Sequence, residues 1–123
     1  MSFLHIENLT KTYTVHHEDF VGVDNISLSI NKGEFLSIVG HSGSGKTTLV
    51  SIMGGILKPT SGRVLLDGVD ICTLNDNKLS EFRSRRIGFM FQFASLLPIL
   101  TAKENVLLPG IFSPGQQWPP CFQ

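Results

Sequence analysis

Apolar and polar residues alternate in two stretches near the amino terminus, residues 3–9 and 25–30. Alternation with a period of two places the apolar side chains on one face of a strand, so both stretches are predicted to be half-buried antiparallel strands. A turn at residues 31–34 leads from the second strand into the short, mostly apolar run 35–39. Such a run predicts a strand that is buried on both faces, as in a parallel sheet.

Further along the chain the pattern predicts two strands and three helices. The strands are residues 63–67 and 87–91, and the helices are residues 47–57, 77–86 and 101–108. The last helix is expected to begin with a capping box, because Thr101 is followed three positions later by Glu104. The predicted fold class is therefore α/β, with an antiparallel β-subdomain at the amino terminus followed by a partial parallel sheet with helices.

Candidate chemistry enters at residues 40–48, Gly-His-Ser-Gly-Ser-Gly-Lys-Thr-Thr, which fit the pattern G-x-x-x-x-G-K-[ST] without a mismatch. A predicted strand precedes this segment and a predicted helix follows it. That is the arrangement of a phosphate-binding loop, and it disfavours the alternative of a chance glycine-rich turn. The parallel part of the fold is accordingly predicted to be a P-loop NTPase core.

The residue types of the loop suit a nucleotide triphosphate. Glycines at positions 40, 43 and 45 leave the backbone N–H groups free to point at phosphate oxygens, at the positive end of the following helix. Lys46 is predicted to reach the β- and γ-phosphates, and the Thr47 hydroxyl to ligate Mg²⁺. The full predicted binding set in the loop is Gly40, Ser42, Gly43, Ser44, Gly45, Lys46, Thr47 and Thr48.

Charge and composition narrow the choice of partner. Ten Lys and Arg residues balance ten Asp and Glu residues, so nothing global favours nucleic acid. No run of eighteen apolar residues is present, so no direct membrane insertion is expected and a membrane role needs a partner protein. The two cysteines, Cys72 and Cys121, have no metal-ligand spacing.

Other segments place the loop in a known context: Tyr13 upstream, residues 60–62 (Thr-Ser-Gly) after the helix, and residues 86–92 (Arg-Ile-Gly-Phe-Met-Phe-Gln) beyond. With these, residues 1–108 resemble the ATP-binding subunits of ABC transporters. The resemblance is strongest to the branch that powers lipoprotein release and macrolide efflux. It rests there on residues 91–93, 96–98, 100–102 and 104–106.

The resemblance implies the cofactors ATP and Mg²⁺ and an ABC-type ATP hydrolase activity. It implies that Tyr13 stacks on the adenine ring, against the alternative of a tyrosine on a hairpin edge. It also implies that Gln92 is the Q-loop glutamine, a Mg²⁺ ligand that acts with Lys46 in catalysis. The expected partners are a transmembrane permease and a second copy of the chain, at the cytoplasmic side of the inner membrane. ATP binding and hydrolysis would then be coupled to export or lipoprotein release.

The chain departs from the family after Gln92, where a signature motif, a Walker B strand ending in Asp-Glu and a switch histidine are expected. All four histidines precede Lys46, and the last acidic residue is Glu104. Residues 64–67 (Val-Leu-Leu-Asp) are followed by glycine, and are expected to be an edge strand of the antiparallel subdomain. Residues 113–117 (Ser-Pro-Gly-Gln-Gln) lie too close to Gln92 to be the signature motif.

The sequence therefore predicts an incomplete ABC ATPase domain, truncated after the Q-loop, in which binding is favoured over turnover. Four of the six prolines lie in residues 109–123, and this atypical tail is expected to be disordered. One alternative is a non-hydrolysing nucleotide-binding module or a non-functional fragment. A second is a soluble ABC ATPase of DNA repair or translation, which the absence of long insertions disfavours.

Overall fold

The computed structural model describes residues 2–92 and 96–108, and the chain forms two compact units, Met1–Leu79 and Ser80–Gln123. The elements are β1 (Ser2–Val15), β2 (Glu18–Asn31), α1 (Lys46–Met53), β3 (Ser61–Leu66), β4 (Val69–Asp70), a 3₁₀ turn (Ile71–Thr73), α2 (Asp76–Arg86) and α3 (Ala102–Leu107). The predictions for the proline-rich tail and for residues 113–117 lie outside the described residues. The domain boundary expected after residue 108 stays a prediction.

The first unit contains a four-stranded antiparallel sheet in the order β2-β1-β3-β4. The alternating stretches predicted near the amino terminus belong to β1 and β2, which are longer than predicted. They meet in a tight hairpin, where His16 (φ 50°) and His17 (φ 67°) both adopt the left-handed conformation. A turn of this kind matches the twist of the flanking strands.

The ladder between β1 and β2 contains a bulge near its hairpin end. Lys11 pairs with Val23, but the next residue, Thr12, pairs with Val21. Gly22 is therefore the extra residue on β2, with no partner on β1. Bulges bend a strand and increase its local twist, so this one changes the course of β2 beside α1.

The core of the first unit lies on one face of the sheet. Alternate residues of β1 and β3 are buried, and so are Leu49 and Ile52 of α1. The buried apolar side chains are Leu4, Ile6, Leu9, Val23, Leu49, Ile52, Val64, Leu66, Ile71 and Leu79. The alternation in the sequence therefore identifies the buried face correctly.

Helix α1 is shorter than the prediction of 47–57, because two glycines follow Met53. Gly54 is the C-cap residue, and Gly55 adopts a left-handed conformation with φ 70°. Glycine in this conformation ends helices without the steric cost that other residues incur. The pair Gly54 and Gly55 was a stop signal that the prediction did not use.

The predicted buried strands at residues 35–39 and 87–91 are not strands in the structure. Neither segment pairs with another strand among the described residues, and Phe35, Val39 and Met90 are 95%, 87% and 93% exposed. A strand that is buried on both faces requires neighbouring strands for its N–H and C=O groups, and the described residues provide none. The expected parallel strand pairing is therefore absent from the described residues, whereas the antiparallel subdomain and α1 are present.

The remaining elements follow the prediction closely. Residues 64–66 lie in β3 of the antiparallel sheet and Asp67 begins the turn that follows; β3 is an inner strand because β4 pairs along its other side. Helix α2 carries Arg83, Arg85 and Arg86 in its last turn, where cations are favourable. Helix α3 begins with the predicted capping box, in which the Thr101 hydroxyl accepts from the Glu104 N–H and the Glu104 carboxylate accepts from the Thr101 N–H.

Candidate functional site

The phosphate loop, residues 40–48, leads directly into α1. Gly45 is the N-cap residue of this helix and has φ 92°, a conformation that disfavours any side chain. A Cβ atom at this position would also collide with the carbonyl oxygen of Gly22 on β2. Glycine at position 45 is therefore required both by the backbone conformation and by the contact with the sheet.

Lys46 is the first residue of α1, and its ammonium group lies among oxygen atoms of the loop. Its Nζ donates to the carbonyl oxygens of Gly40 (2.7 Å) and His41 (2.6 Å), and to the Ser44 hydroxyl (3.1 Å). The loop is thus folded around its own positive charge. Oxygen atoms of a phosphate group can take the place of these acceptors, because they offer negative charge to the same three donor hydrogens.

The rest of the loop presents hydrogen-bond donors to solvent. The Ser42 and Thr47 residues are exposed and Thr48 is half-buried. No acidic residue occurs in the first turn of α1, so no side chain there neutralises the positive end of the helix dipole. Hydroxyls, an ammonium group and a helix amino terminus are a donor set that fits a phosphorylated ligand.

Tyr13 lies near the hairpin end of β1, opposite Phe20 of β2, and is 38% exposed. The Lys11 ammonium group is 5.3 Å from the centroid of the tyrosine ring. That ammonium group also donates to the carbonyl oxygen of Lys58, just after α1. The ring is therefore partly accessible to a planar ligand, and a neighbouring cation lies within cation–π distance of it.

The structure brings Tyr13 and the phosphate loop together through Gly22. A Cβ atom built on Gly22 would lie 3.0 Å from Cε2 of Tyr13, and the carbonyl oxygen of Gly22 abuts Gly45. Of the predicted site residues, Gln92 alone belongs to the second unit, where it is exposed. The sequence interpretation did not single out Lys11 or Gly22. A glycine inside a strand pattern is a signal of close backbone approach, and it could have identified Gly22.

Three groups outside the loop, Glu7, Arg63 and Cys72, have shifted pKa values. The Arg63 guanidinium donates a hydrogen bond to Glu7 and lowers the pKa of that carboxyl group, with a further contribution from His5. Burial raises the pKa of the Cys72 thiol.

Within residues 2–92 and 96–108, no three His, Cys, Asp or Glu side chains are grouped so that they could hold a metal ion. Nor does this part of the chain contain a helix with the length and apolarity that a membrane crossing requires.

The sequence matches a known family model over residues 23–120, and that family is described as ABC transporter. Similar proteins include MJ0796 of Methanocaldococcus jannaschii, an uncharacterised ABC transporter ATP-binding protein with 47% identity over 107 residues. The lipoprotein-releasing system ATP-binding protein LolD 1 of Chlorobium chlorochromatii is 52% identical over 91 residues. The macrolide export protein MacB of Brucella abortus, an ATP-binding/permease protein, is 45% identical over 112 residues.

These alignments cover most of this chain but a smaller part of each relative. They span 87%, 74% and 89% of the chain, and 46%, 37% and 17% of MJ0796, LolD 1 and MacB respectively. The chain therefore spans about half the length of MJ0796 and less of the other two. A solved structure of MJ0796, a dimer in a post-hydrolysis state bound to ADP and Pi, superimposes with a TM-score of 0.87 at 43% identity. The superposition covers 95% of this chain and 50% of that one.

Proposed function

The chain belongs to the ABC transporter family, and on that premise we propose that it binds ATP with Mg²⁺ as the nucleotide-binding part of a transporter. ATP hydrolysis is the activity of this family. The observation that carries the proposal is the phosphate loop at the amino terminus of α1, with the ammonium group of Lys46 among the loop oxygens. MJ0796, a relative with the same fold, has been solved with ADP and Pi bound.

Binding of the phosphates is assigned to the loop. Lys46 would exchange the carbonyl oxygens of Gly40 and His41 for phosphate oxygens, and so place its charge against the ligand. The backbone N–H groups of Gly43 and Gly45 and the hydroxyls of Ser42, Ser44 and Thr48 would add further hydrogen bonds. Charge-assisted bonds of this kind are roughly twice as strong as neutral ones, so Lys46 is expected to dominate the affinity.

We assign Mg²⁺ and the adenine base to different residues. Mg²⁺, when bound, neutralises charge on the phosphate oxygens, and the Thr47 hydroxyl and the Gln92 amide oxygen are the side-chain ligands that we assign to it. Tyr13 would stack on the adenine ring. Stacking on an aromatic ring contributes about 1–3 kcal/mol per base, enough to add to the phosphate affinity but not to replace it.

We propose that these 123 residues bind ATP without rapid turnover. Hydrolysis requires a group that orients water and a carboxylate that positions the metal ion, and family members place these after the Q-loop. All four histidines precede Lys46, and Asp67, the end of an apolar strand, is followed by glycine. Asp67 also lies in the turn between β3 and β4 of the antiparallel sheet, with φ 49°. Lys46 and Gln92 are thus the catalytic groups that we assign to this chain.

The names of two relatives indicate the biological setting. LolD 1 belongs to a lipoprotein-releasing system, and MacB is a macrolide export protein that includes a permease. By analogy we propose that the chain acts beside a membrane permease, at the cytoplasmic side of the inner membrane, in export or lipoprotein release. The dimeric state of MJ0796 supports a second copy of the chain as a further partner.

The proposal is tested by equilibrium titration of ATP, with and without Mg²⁺, into the wild-type chain, Lys46→Ala and Lys32→Ala. Lys32 is an exposed residue of the turn after β2 and serves as the matched control. We expect saturable binding by the wild type, a loss of about tenfold or more for Lys46→Ala, and a change within about twofold for Lys32→Ala. Failure of the wild type to bind millimolar ATP would refute nucleotide binding. Rapid and sustained release of phosphate by the purified chain would refute binding without rapid turnover.

A further inference from the structure

Gly22 lies inside β2, where glycine weakens a strand unless something requires it. Its φ angle lies outside the left-handed region, so the backbone conformation does not exclude other residues. The reason for glycine at this position has to be sought in the space around its Cα atom.

That space is filled by the ring of Tyr13. A Cβ atom on Gly22 would lie 3.0 Å from Cε2 and 3.5 Å from Cδ2 of the ring, and 3.6 Å from the carbonyl oxygen of Lys11. Carbon atoms in contact prefer separations of about 3.5–4.0 Å, so the first of these distances is a steric conflict. Any side chain at position 22 therefore displaces the ring.

The other side of Gly22 meets the phosphate loop. The Gly22 carbonyl oxygen lies against Gly45, at the point where the loop becomes α1. Gly22 therefore lies between Tyr13 and Gly45, and its backbone separates the aromatic ring from the amino terminus of α1. Gly22 is also the bulge residue of β2.

We propose that Gly22 is a positioning residue that sets the separation between the stacking ring of Tyr13 and the phosphate loop, and thereby the affinity for adenine nucleotides. This inference rests on the proposed function, because it assigns the ring to the base and the loop to the phosphates. A nucleotide joins its base to its phosphates through one ribose, so both ends bind fully only when the two protein surfaces have the correct separation.

The consequence is a selective effect of the size of residue 22. Alanine would shift the ring by a few tenths of an ångström, and the γ-carbons of valine would shift it further. Movement of the ring is opposed by its cation–π contact with Lys11, whose ammonium group also donates to the carbonyl oxygen of Lys58. The affinity is expected to decrease only for ligands that contain a base. Inorganic tripolyphosphate, which contacts the loop alone, keeps its affinity.

The experiment is a titration of ATP and of tripolyphosphate, each with Mg²⁺, into the wild type, Gly22→Ala, Gly22→Val and the control Gly88→Val. Gly88 also lies outside the left-handed region, and a Cβ atom there meets nothing within 4 Å. We expect the Kd of ATP to rise about threefold for Gly22→Ala, a partial loss of the stacking contribution, and at least about tenfold for Gly22→Val, which lies within the range that stacking contributes. The Kd of tripolyphosphate is expected to stay within about twofold in all variants, and Gly88→Val to match the wild type.

A double-mutant cycle with Tyr13→Ala isolates the contact. Once the ring is removed, Gly22→Val is expected to have no further effect on ATP binding. The inference is overturned if Gly22→Val binds ATP as the wild type does, if ATP and tripolyphosphate weaken in equal proportion, or if the effect of Gly22→Val persists without the ring. Should Gly22→Val not fold, Gly22→Ala decides by the same comparison. Failure of the wild type to bind either ligand refutes the proposed function itself, and is thereby distinguished from these results.

Discussion

Lys46 donates a hydrogen bond of 2.6 Å to the carbonyl oxygen of His41, five positions earlier in the phosphate loop. A second bond, to the Gly40 carbonyl, closes the loop over the same ammonium group. The shape of the loop and the position of its charge are therefore coupled: a change that moves the first residues of the loop also moves the lysine. This coupling makes position 40 a sensitive one, although Gly40 does not adopt a left-handed conformation.

Gly40→Ala is expected to weaken ATP binding by about tenfold, the scale of a modest overpacking cost. A Cβ atom at position 40 would lie 2.7 Å from the Ser44 hydroxyl oxygen and 3.6 Å from Cδ of Lys46. Isothermal titration calorimetry of the single variant measures the loss.

The cause is checked by adding Ser44→Ala, which removes the hydroxyl and leaves the Ser44 Cβ at 3.4 Å. The double variant is expected to regain most of the affinity, relative to Ser44→Ala alone. A double variant that is as weak as Gly40→Ala would contradict the steric explanation.

Glu7 gives a prediction for acid stability. Its carboxylate accepts from Arg63 and lies 3.0 Å from Nε2 of His5, and its pKa is held below the ordinary value of 4.5, mainly by the hydrogen bond from Arg63. A carboxyl group whose folded pKa is lowered stabilises the fold above its unfolded pKa, and loses that contribution as the pH falls through the folded pKa. The melting temperature of the wild type is therefore expected to fall as the pH decreases below 4.5.

Glu7→Gln is expected to flatten this pH dependence, because the amide does not titrate. Melting curves from neutral pH down to strong acid, recorded in parallel for Glu18→Gln, provide the comparison. Glu18 lies at the exposed hairpin end of β2, and Glu18→Gln is the control for the loss of one surface carboxylate. Equal slopes for Glu7→Gln and the wild type would show that the ion pair does not contribute.

Alternation in the sequence located β1 and β2, because a period of two reports directly on which face of a strand is buried. The same reasoning failed for residues 35–39 and 87–91. A short, mostly apolar run indicates that a segment can form a buried strand, but such a strand also needs neighbouring strands to pair with. The sequence of the run itself does not show whether those strands are present. Phe35 is therefore exposed despite its sequence context.

The candidate site was predictable in part for a related reason. The phosphate loop is a local motif, so its glycines and Lys46 could be read from consecutive residues. The relation of Tyr13 to Gly22 depends on the register across a hairpin, and a bulge at Gly22 shifts that register by one residue. No consecutive pattern encodes which residue of β2 lies against the ring, and the structure was needed to identify it.

The exposed apolar segment 35–39 predicts self-association. Phe35 and Val39 are 95% and 87% exposed, and the backbone of this segment has no strand partner among the described residues. Unpaired backbone next to apolar side chains favours association between chains. The double variant Phe35→Ser, Val39→Ser is expected to stay monomeric at concentrations several times higher than the wild type.

Sedimentation velocity over a concentration series measures this difference. Val15→Ser is the control, since Val15 is also exposed but lies within a paired strand. If the double variant and the wild type associate at the same concentration, segment 35–39 is not the cause.

Asn105 gives the final prediction, because its side chain fastens the loop before α3. Its Oδ1 accepts from the Leu97 N–H at 2.8 Å, and its Nδ2 donates to the carbonyl oxygens of Leu97, Leu100 and Thr101. Asn105→Ala removes all four bonds while placing a better helix former in α3. The helix should therefore keep its stability while the loop loses its restraint. We expect the Leu97 amide to exchange at least about fivefold faster, the equivalent of one hydrogen bond of about 1 kcal/mol. Hydrogen exchange followed by NMR measures this rate, and Lys103→Ala on the same helix serves as the control. Unchanged protection at Leu97 would show that the loop is held by other contacts, whereas equal loss of protection at Leu97 and within α3 would show that Asn105 supports the helix itself.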